Sequence, residues 1–442
     1  SRTSGSADSE RKLASTSVWL KRSNLTSRHT IYAVNPAGSA GAANQITMVF
    51  ENSGSNGDCI TYNNGSVNRQ STSVYRDVSA WYHLCQIFDT TQSTAADRVK
   101  TYINGTLLTD INIGQDFSLN SNTAFGQTSV VHYLGRGGST QYFDGYMAEI
   151  IFTVGQSVTV ANFGETNDDG VWIPKKYTGA FGTNGFFIDG RDSSDLGDDE
   201  SGNGNDFTSS GLAANDQVTD TPTDNYATWN AVDKGVVTLS NGNLDTILGA
   251  DWAGVRSTFL IPTTGKWYWE ITNTTLGYLQ FIGLCDSNKT ITNFNDGSTA
   301  NRGWGYGSWF STYNGNVTKY QSDVVSSGGT NWTGVPNPAD GAVLMVAYDA
   351  DNGSLWFGKA GTWFDSSGTA NPATNTDPRF SSLNDGTEWF ACWSASNTYA
   401  PVAKANFGQL GFAHTPPTGF SALSTANLPA PTIADGSTAF QT

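Results

Sequence analysis

The sequence predicts an all-β protein made of two tandem antiparallel β-sandwich domains of jelly-roll type, and three observations carry that prediction. Tight-turn dipeptides recur along the chain, with eight Asn-Gly and seven Asp-Gly pairs, and these favour the positive φ angles of hairpin turns. Between them lie short segments of strand character: Ser17-Val-Trp-Leu-Lys21, Trp81-Tyr-His-Leu-Cys-Gln-Ile-Phe88, Val99-Lys-Thr-Tyr-Ile103 and Lys266-Trp-Tyr-Trp-Glu-Ile271. Short strands at such spacing point to sandwiches or barrels. Charged residues are only 14% of the chain while aromatic residues reach 12%. Helix formers are therefore scarce, and large rings supply core area from few side chains.

At 442 residues the length suggests about three average domains, but all-β units often exceed about 200 residues, so two are expected. A lead-in covers 1–12 and the first sandwich 13–189. An acidic, Gly/Asn-rich connection follows over 190–235, since few of its residues suit a core. The second sandwich takes 236–414, and a Pro-punctuated tail 415–442. Ala161-Asn-Phe-Gly-Glu165 and Ala405-Asn-Phe-Gly-Gln409 echo one another. This weak repeat favours two related sandwiches over a propeller.

A formal charge of −16 argues against nucleic acid, whose binding needs clustered Lys and Arg. Arg11-Lys12 and Lys21-Arg22 read as solvated strand ends. No apolar run has bilayer-spanning length, so membrane insertion is not expected. The four cysteines, Cys59, Cys85, Cys285 and Cys392, are too scattered for a disulfide framework and read as buried thiols. The chain starts at Ser1, as a processed chain or a part of a longer one would.

Several blocks in the first half occur in a telling order: Ser17-Val-Trp-Leu-Lys-Arg-Ser23, Asp97-Arg-Val-Lys-Thr-Tyr-Ile-Asn-Gly105, Tyr142-Phe-Asp-Gly-Tyr-Met-Ala-Glu-Ile150 and Val171-Trp-Ile-Pro-Lys175. Over roughly 13–230 the chain resembles the laminin-G-like, concanavalin A-like domain of marine bacteriophage structural proteins. The second half carries Lys266-Trp-Tyr-Trp-Glu-Ile271, Phe281-Ile-Gly-Leu284, Val346-Ala-Tyr-Asp-Ala-Asp-Asn-Gly-Ser-Leu-Trp-Phe357 and Gly361-Thr-Trp-Phe364. Over roughly 236–410 it resembles the SPRY (B30.2) sandwich. The resemblance implies a virion protein, a tail fibre, spike or similar appendage that binds host-surface glycan or another virion protein. A capsid-decorating or head-fibre role is the runner-up, and a polysaccharide depolymerase the third reading. Homo-oligomerisation, as a trimer, would suit an appendage by raising effective concentration.

The residues themselves offer little for catalysis, so no enzyme is expected. Glutamate occurs seven times, and no run of alternating acids places two carboxylates on one strand face, as glycoside hydrolysis requires. Glu149 and Glu270 are isolated strand acids that read as framework. His29, His83, His132 and His414 are dispersed, and His83 reads as a hydrogen-bonded structural histidine. Calcium is the one cofactor the composition suits, because Asp189, Asp192, Asp195, Asp198, Asp199, Asn203, Asn205 and Asp206 gather oxygen ligands in one stretch. Solvated Asx turns explain the same stretch. Trp304, Tyr306, Trp309 and Tyr313, in a Gly-rich run read as a loop, are the candidate contacts for a glycan or protein partner, weighed against core packing.

Overall fold

The computed structural model describes residues 1–36, 46–51, 59–64, 67–137, 141–250, 252–275, 279–292, 303–309, 317–320, 341–364, 368–395 and 401–429. Among them there is no α-helix, only strands and short 3-10 turns. The chain parts into two compact units between Thr223 and Asp224.

In the first unit one sheet runs in the order Arg2–Thr3, Val130–Leu134, His29–Pro36, Ile46–Phe50, Ile60–Asn64, Val67–Ser71, Ile111–Gln115. The other runs Phe186–Ile188, Gly145–Val154, Leu13–Arg22, Tyr82–Asp89, Val99–Ile103, Thr106–Leu107. Leu13–Arg22 shows how the sequence builds this. Ala14, Val18 and Leu20 enter the core shared with Ile31, Val34, Met48 and Phe50 from the facing sheet. The alternate residues are buried too: Ser15 bonds Thr153 at 2.7 Å, and Trp19 stacks on His83 at 4.7 Å between centroids. A second apolar layer of Cys85, Ile151 and Phe163, with Tyr177 and Phe181 packed against it, forms apart from the main core. Asn104 and Gly105 join Val99–Ile103 to Thr106–Leu107 with φ of 47° and 77°, the two-residue turn their sequence demands. A Cβ on Gly105 would lie 2.6 Å from the Trp172 ring, so packing as well as φ requires glycine there.

The second unit pairs Trp229–Lys234, Gly254–Ile261, Trp389–Ala395, Leu279–Asp286, Gly303–Trp309 and Val317–Tyr320 in one sheet. Its other sheet runs Val237–Ser240, Asp245–Leu248, Val402–Asn406, Lys266–Thr275, Ala342–Asp349, Ser354–Lys359, Thr362–Trp363. Trp267, Trp269 and Ile271 alternate into a core that also holds Ile282, Leu284, Ala391 and Trp393 from the first sheet. That is the period-two placement of one strand face, and the alternate residues Tyr268 and Glu270 are buried on the other.

The boundaries differ from those read in the sequence. Arg2–Thr3 pairs with Val131 and His132, so 1–12 is no mere lead-in. The first part of the 190–235 stretch folds with the first unit: Phe207 is 5% exposed and lies in its core. Its polar residues satisfy one another and nearby backbone, which composition alone does not reveal. From 224 onward the chain belongs to the second unit, where Trp229 is a core residue. The start of the expected tail is also structural, since Ser421–Ala422 pairs in parallel with Trp267 and Tyr268 and Leu423 is buried. Lys21 and Arg22 are not solvated strand ends but 1% and 0% exposed. All four cysteines are free and buried.

Candidate binding surface

The Gly-rich run expected to be a loop is instead a strand where it is described. Gly303–Trp309 pairs with Leu279–Asp286, setting Trp304 opposite Leu284, Tyr306 opposite Ile282 and Trp309 opposite Leu279. Leu284 and Ile282 are core residues. The side chains of Trp304, Tyr306 and Trp309 lie outside the described residues, as does the whole of Tyr313.

The acidic stretch is a set of self-satisfied turns. Asp189 accepts the Arg191 N–H at 3.0 Å and bonds the Arg191 guanidinium. Asp192 accepts from Ser194 N–H and hydroxyl at 2.8 and 2.6 Å, and Asp195 from Gly197 N–H at 3.1 Å. Asp198 follows within the same turns, its N–H bonded to the Asp195 carbonyl at 3.2 Å. Asp199, Asn203 and Asn205 converge on the 182–187 segment, and Asp206 supports Asp199. Asp199 takes the N–H groups of Phe187, Ser201 and Asn205 at 2.8, 3.0 and 2.8 Å, while Asp206 takes that of Asp199 at 3.1 Å. The amides of Asn203 and Asn205 both donate to the Gly185 carbonyl, at 2.9 and 2.7 Å. Among the described residues no three His, Cys, Asp or Glu side chains gather as metal ligands would. Asp199→Ala orphans three N–H donors, that of Asn205 buried and those of Phe187 and Ser201 part-buried. It is expected to cost the first unit about 2–3 kcal/mol in urea unfolding.

Glu270, His83 and His132 are tied into the framework by hydrogen bonds. Glu270, 2% exposed, accepts from the Tyr268 hydroxyl and from the N–H groups of Ala413 and His414, each at 2.8 Å. Glu149 sits at a bulge in Gly145–Val154, between Ala148 and Ile151, with φ of 49°. Burial, then the charge of Asp189, raises its carboxyl above the usual range. His83 Nδ1 accepts the Trp172 indole N–H at 2.9 Å, which leaves Nε2 to donate to the Ser17 hydroxyl at 2.8 Å. His132 bonds the Tyr32 hydroxyl at 2.7 Å and the Ser4 hydroxyl at 3.2 Å. Both rings are fully buried.

A surface cluster that the sequence did not single out is better placed to meet a ligand. Arg136–Gly137 and Gln141–Tyr142 form a short hairpin in which Arg136 lies opposite Tyr142. The Arg136 guanidinium stands 5.4 Å from the Tyr133 ring centroid and 5.9 Å from that of Tyr142. Cation–π contact with two rings holds the group in place at little entropic cost. Tyr142 is 54% exposed. Beside it, Arg28 donates to the Gln141 amide oxygen at 3.0 Å and pairs with Glu51 at 3.2 Å. An exposed ring next to ordered amide, guanidinium and carboxylate groups matches the surface of a sugar, with an apolar ring face and a polar rim. The Gly-rich sequence Leu134-Gly-Arg-Gly-Gly138 was the available signal. That sequence does not reveal the cluster, which arises from strand pairing.

Residues 3–153 match a laminin-G-type family model described as the concanavalin A-like lectin/glucanases superfamily. The first unit thus carries a concanavalin A-like domain, and Tyr133, Arg136 and Tyr142 lie within the matched stretch. Among solved structures, the SPRY domain of human HERC1 is similar at 16% identity, with a TM-score of 0.28, covering 40% of this chain and 96% of that one. No curated protein matches the chain.

Proposed function

We propose that this chain is a non-enzymatic, glycan-binding protein of a bacteriophage particle, an appendage component such as a tail fibre or spike exposed on the virion. The observation that carries the binding role is the Tyr133–Arg136–Tyr142 cluster, with a half-exposed ring braced by a stacked guanidinium. It lies in a domain of the lectin and glucanase type. The phage setting is supported by the sequence blocks alone, through their resemblance to marine phage structural proteins and the SPRY-like second half. The acidic loop works in this reading as a metal-free support, since its carboxylates are engaged by N–H donors. Adding calcium or EDTA is expected to leave thermal unfolding unchanged, and a calcium-dependent rise in midpoint would give the loop a cation.

Binding of purified protein to host-cell surface polysaccharide tests the proposal. Tyr142→Ala should weaken binding about tenfold, as loss of an interface ring does, with the unfolding midpoint unchanged. Full retention of binding by Tyr142→Ala and Arg136→Ala would exclude this surface. Absence of host binding by the parent chain would favour the capsid-decorating role.

A further inference from the structure

Two oppositely charged side chains far apart in sequence meet in the interior of the first unit. Lys21 comes from the central strand Leu13–Arg22, and its Nζ lies 2.8 Å from Oδ2 of Asp220, with only 1% and 0% of the side chains exposed. The other carboxyl oxygen, Oδ1, accepts the indole N–H of Trp81 at 2.9 Å. The Tyr146 ring centroid is 5.4 Å from Nζ, and Trp81 packs against the same ring at 6.3 Å. Aromatic surface therefore walls the pair on this side.

Such a setting does not favour keeping two charges. Removing an ammonium and a carboxylate from water is costly even when they are paired, and desolvation is the largest influence on Lys21, lowering its proton affinity. One proton passed from Nζ to Oδ2 leaves a neutral amine touching a carboxylic acid. These are a nucleophile and an electrophile at contact distance, where little translational freedom remains to be lost. The Trp81 N–H is aimed at the oxygen on which negative charge would grow if the amine added to the carbonyl carbon, the arrangement that stabilises an acyl-transfer intermediate.

We propose that Lys21 and Asp220 condense to an intramolecular isopeptide cross-link. Nζ of Lys21 adds to Cγ of Asp220, and Oδ1 takes the developing charge against the Trp81 N–H. The Cγ–Oδ2 bond then breaks as the carbonyl re-forms. Of the three protons on the starting ammonium, one stays on the amide nitrogen and two leave with Oδ2 as water. The ion pair becomes a neutral amide and one water, with no oxidant or cofactor consumed. Burial then protects the amide from hydrolysis.

The bond would join residues 199 positions apart. It would tie the last stretch of the first unit, just before Thr223, to its central strand. Pulling on the chain beyond Asp220 would then load a covalent link instead of peeling away the 190–220 stretch.

Intact mass of the purified full chain, measured under denaturing conditions, decides the matter. The parent chain should be lighter than its sequence by one water, and digestion should yield a single branched peptide containing both Lys21 and Asp220. Lys21→Met and Asp220→Ala should each recover the full mass of their own sequence. Trp81→Phe, which keeps a ring but removes the donor, should accumulate the uncondensed form. A parent chain of full sequence mass, with Lys21 and Asp220 in separate unmodified peptides, overturns the proposal. So does a loss of water that persists in Asp220→Ala.

Discussion

Acidification from pH 6.5 toward pH 3 is expected to unfold the first unit through two histidines that fold as neutral rings. Burial holds both His83 and His132 at about 3, from an ordinary value of 6.5, and the charge of Arg2 adds to the effect at His132. The hydrogen bonds agree with this. Nδ1 of His83 accepts an indole N–H, so a proton placed there would confront a donor. With the folded value depressed, the unfolded state binds more protons throughout this interval. Stability is fully present above pH 6.5 and drains away as pH falls toward the folded value. Each ring contributes a slope of about 1.4 kcal/mol per pH unit, or roughly 5 kcal/mol across the interval. Two such terms rival the whole stability of an ordinary domain, about 5–15 kcal/mol. The second unit has His414 as its one histidine, a residue only partly buried, and holds no counterpart of the buried His83 and His132 rings. Hydrogen exchange at stepped pH should therefore show protection lost first in the first unit. Replacing both histidines by glutamine should flatten the pH dependence between 6.5 and 4, and an unchanged slope would place the acid sensitivity elsewhere.

How far the sequence disclosed this molecule depends on the range over which each signal acts. Local chemistry was legible: Asn104-Gly105 forms its turn, and Lys266-Trp-Tyr-Trp-Glu-Ile271 forms a strand with Trp267 and Trp269 inward. Signals that depend on distant partners were not. Ser17, His83 and Trp172 form one hydrogen-bonded chain over separations of 66 and 89 residues, which no spacing rule displays. The 190–235 stretch reads as a connection because Asp, Asn and Gly dominate its first part. Yet those residues bond to their own backbone, and one buried ring, Phe207, anchors them. The echoed Asn-Phe-Gly blocks fall one in each of the two units, but at different depths. Phe407 enters the main core of the second unit, whereas Phe163 belongs to the outer layer of the first. The Gly-rich run at 303–309 reads as a loop because alternating glycine weakens the strand signal. In the sheet those glycines lie opposite Cys285, Gly283 and Phe281.

Glu270 is where a catalytic reading and a framework reading make opposite predictions, and the geometry favours framework. Its two carboxylate oxygens receive three donors, from Tyr268, Ala413 and His414. Burial, then the neighbouring carboxylate, pushes the Tyr268 phenol well above its usual range, which keeps it protonated and donating. The carboxylate thereby pins residues 413–414 to Lys266–Thr275, the strand that also pairs with Ser421–Ala422. Glu270→Ala removes every acceptor at once and leaves a buried hydroxyl and two part-buried N–H groups without partners. The expected loss is about 3–5 kcal/mol from the second unit, read as a lower urea midpoint with exchange protection lost first near 413–423. Glu270→Gln keeps one oxygen but turns an amide N–H₂ toward the other donors, so it should cost about half as much. A catalytic acid would give the reverse pattern, with stability unchanged and glycan turnover abolished, because its work would lie in proton transfer to a bound substrate.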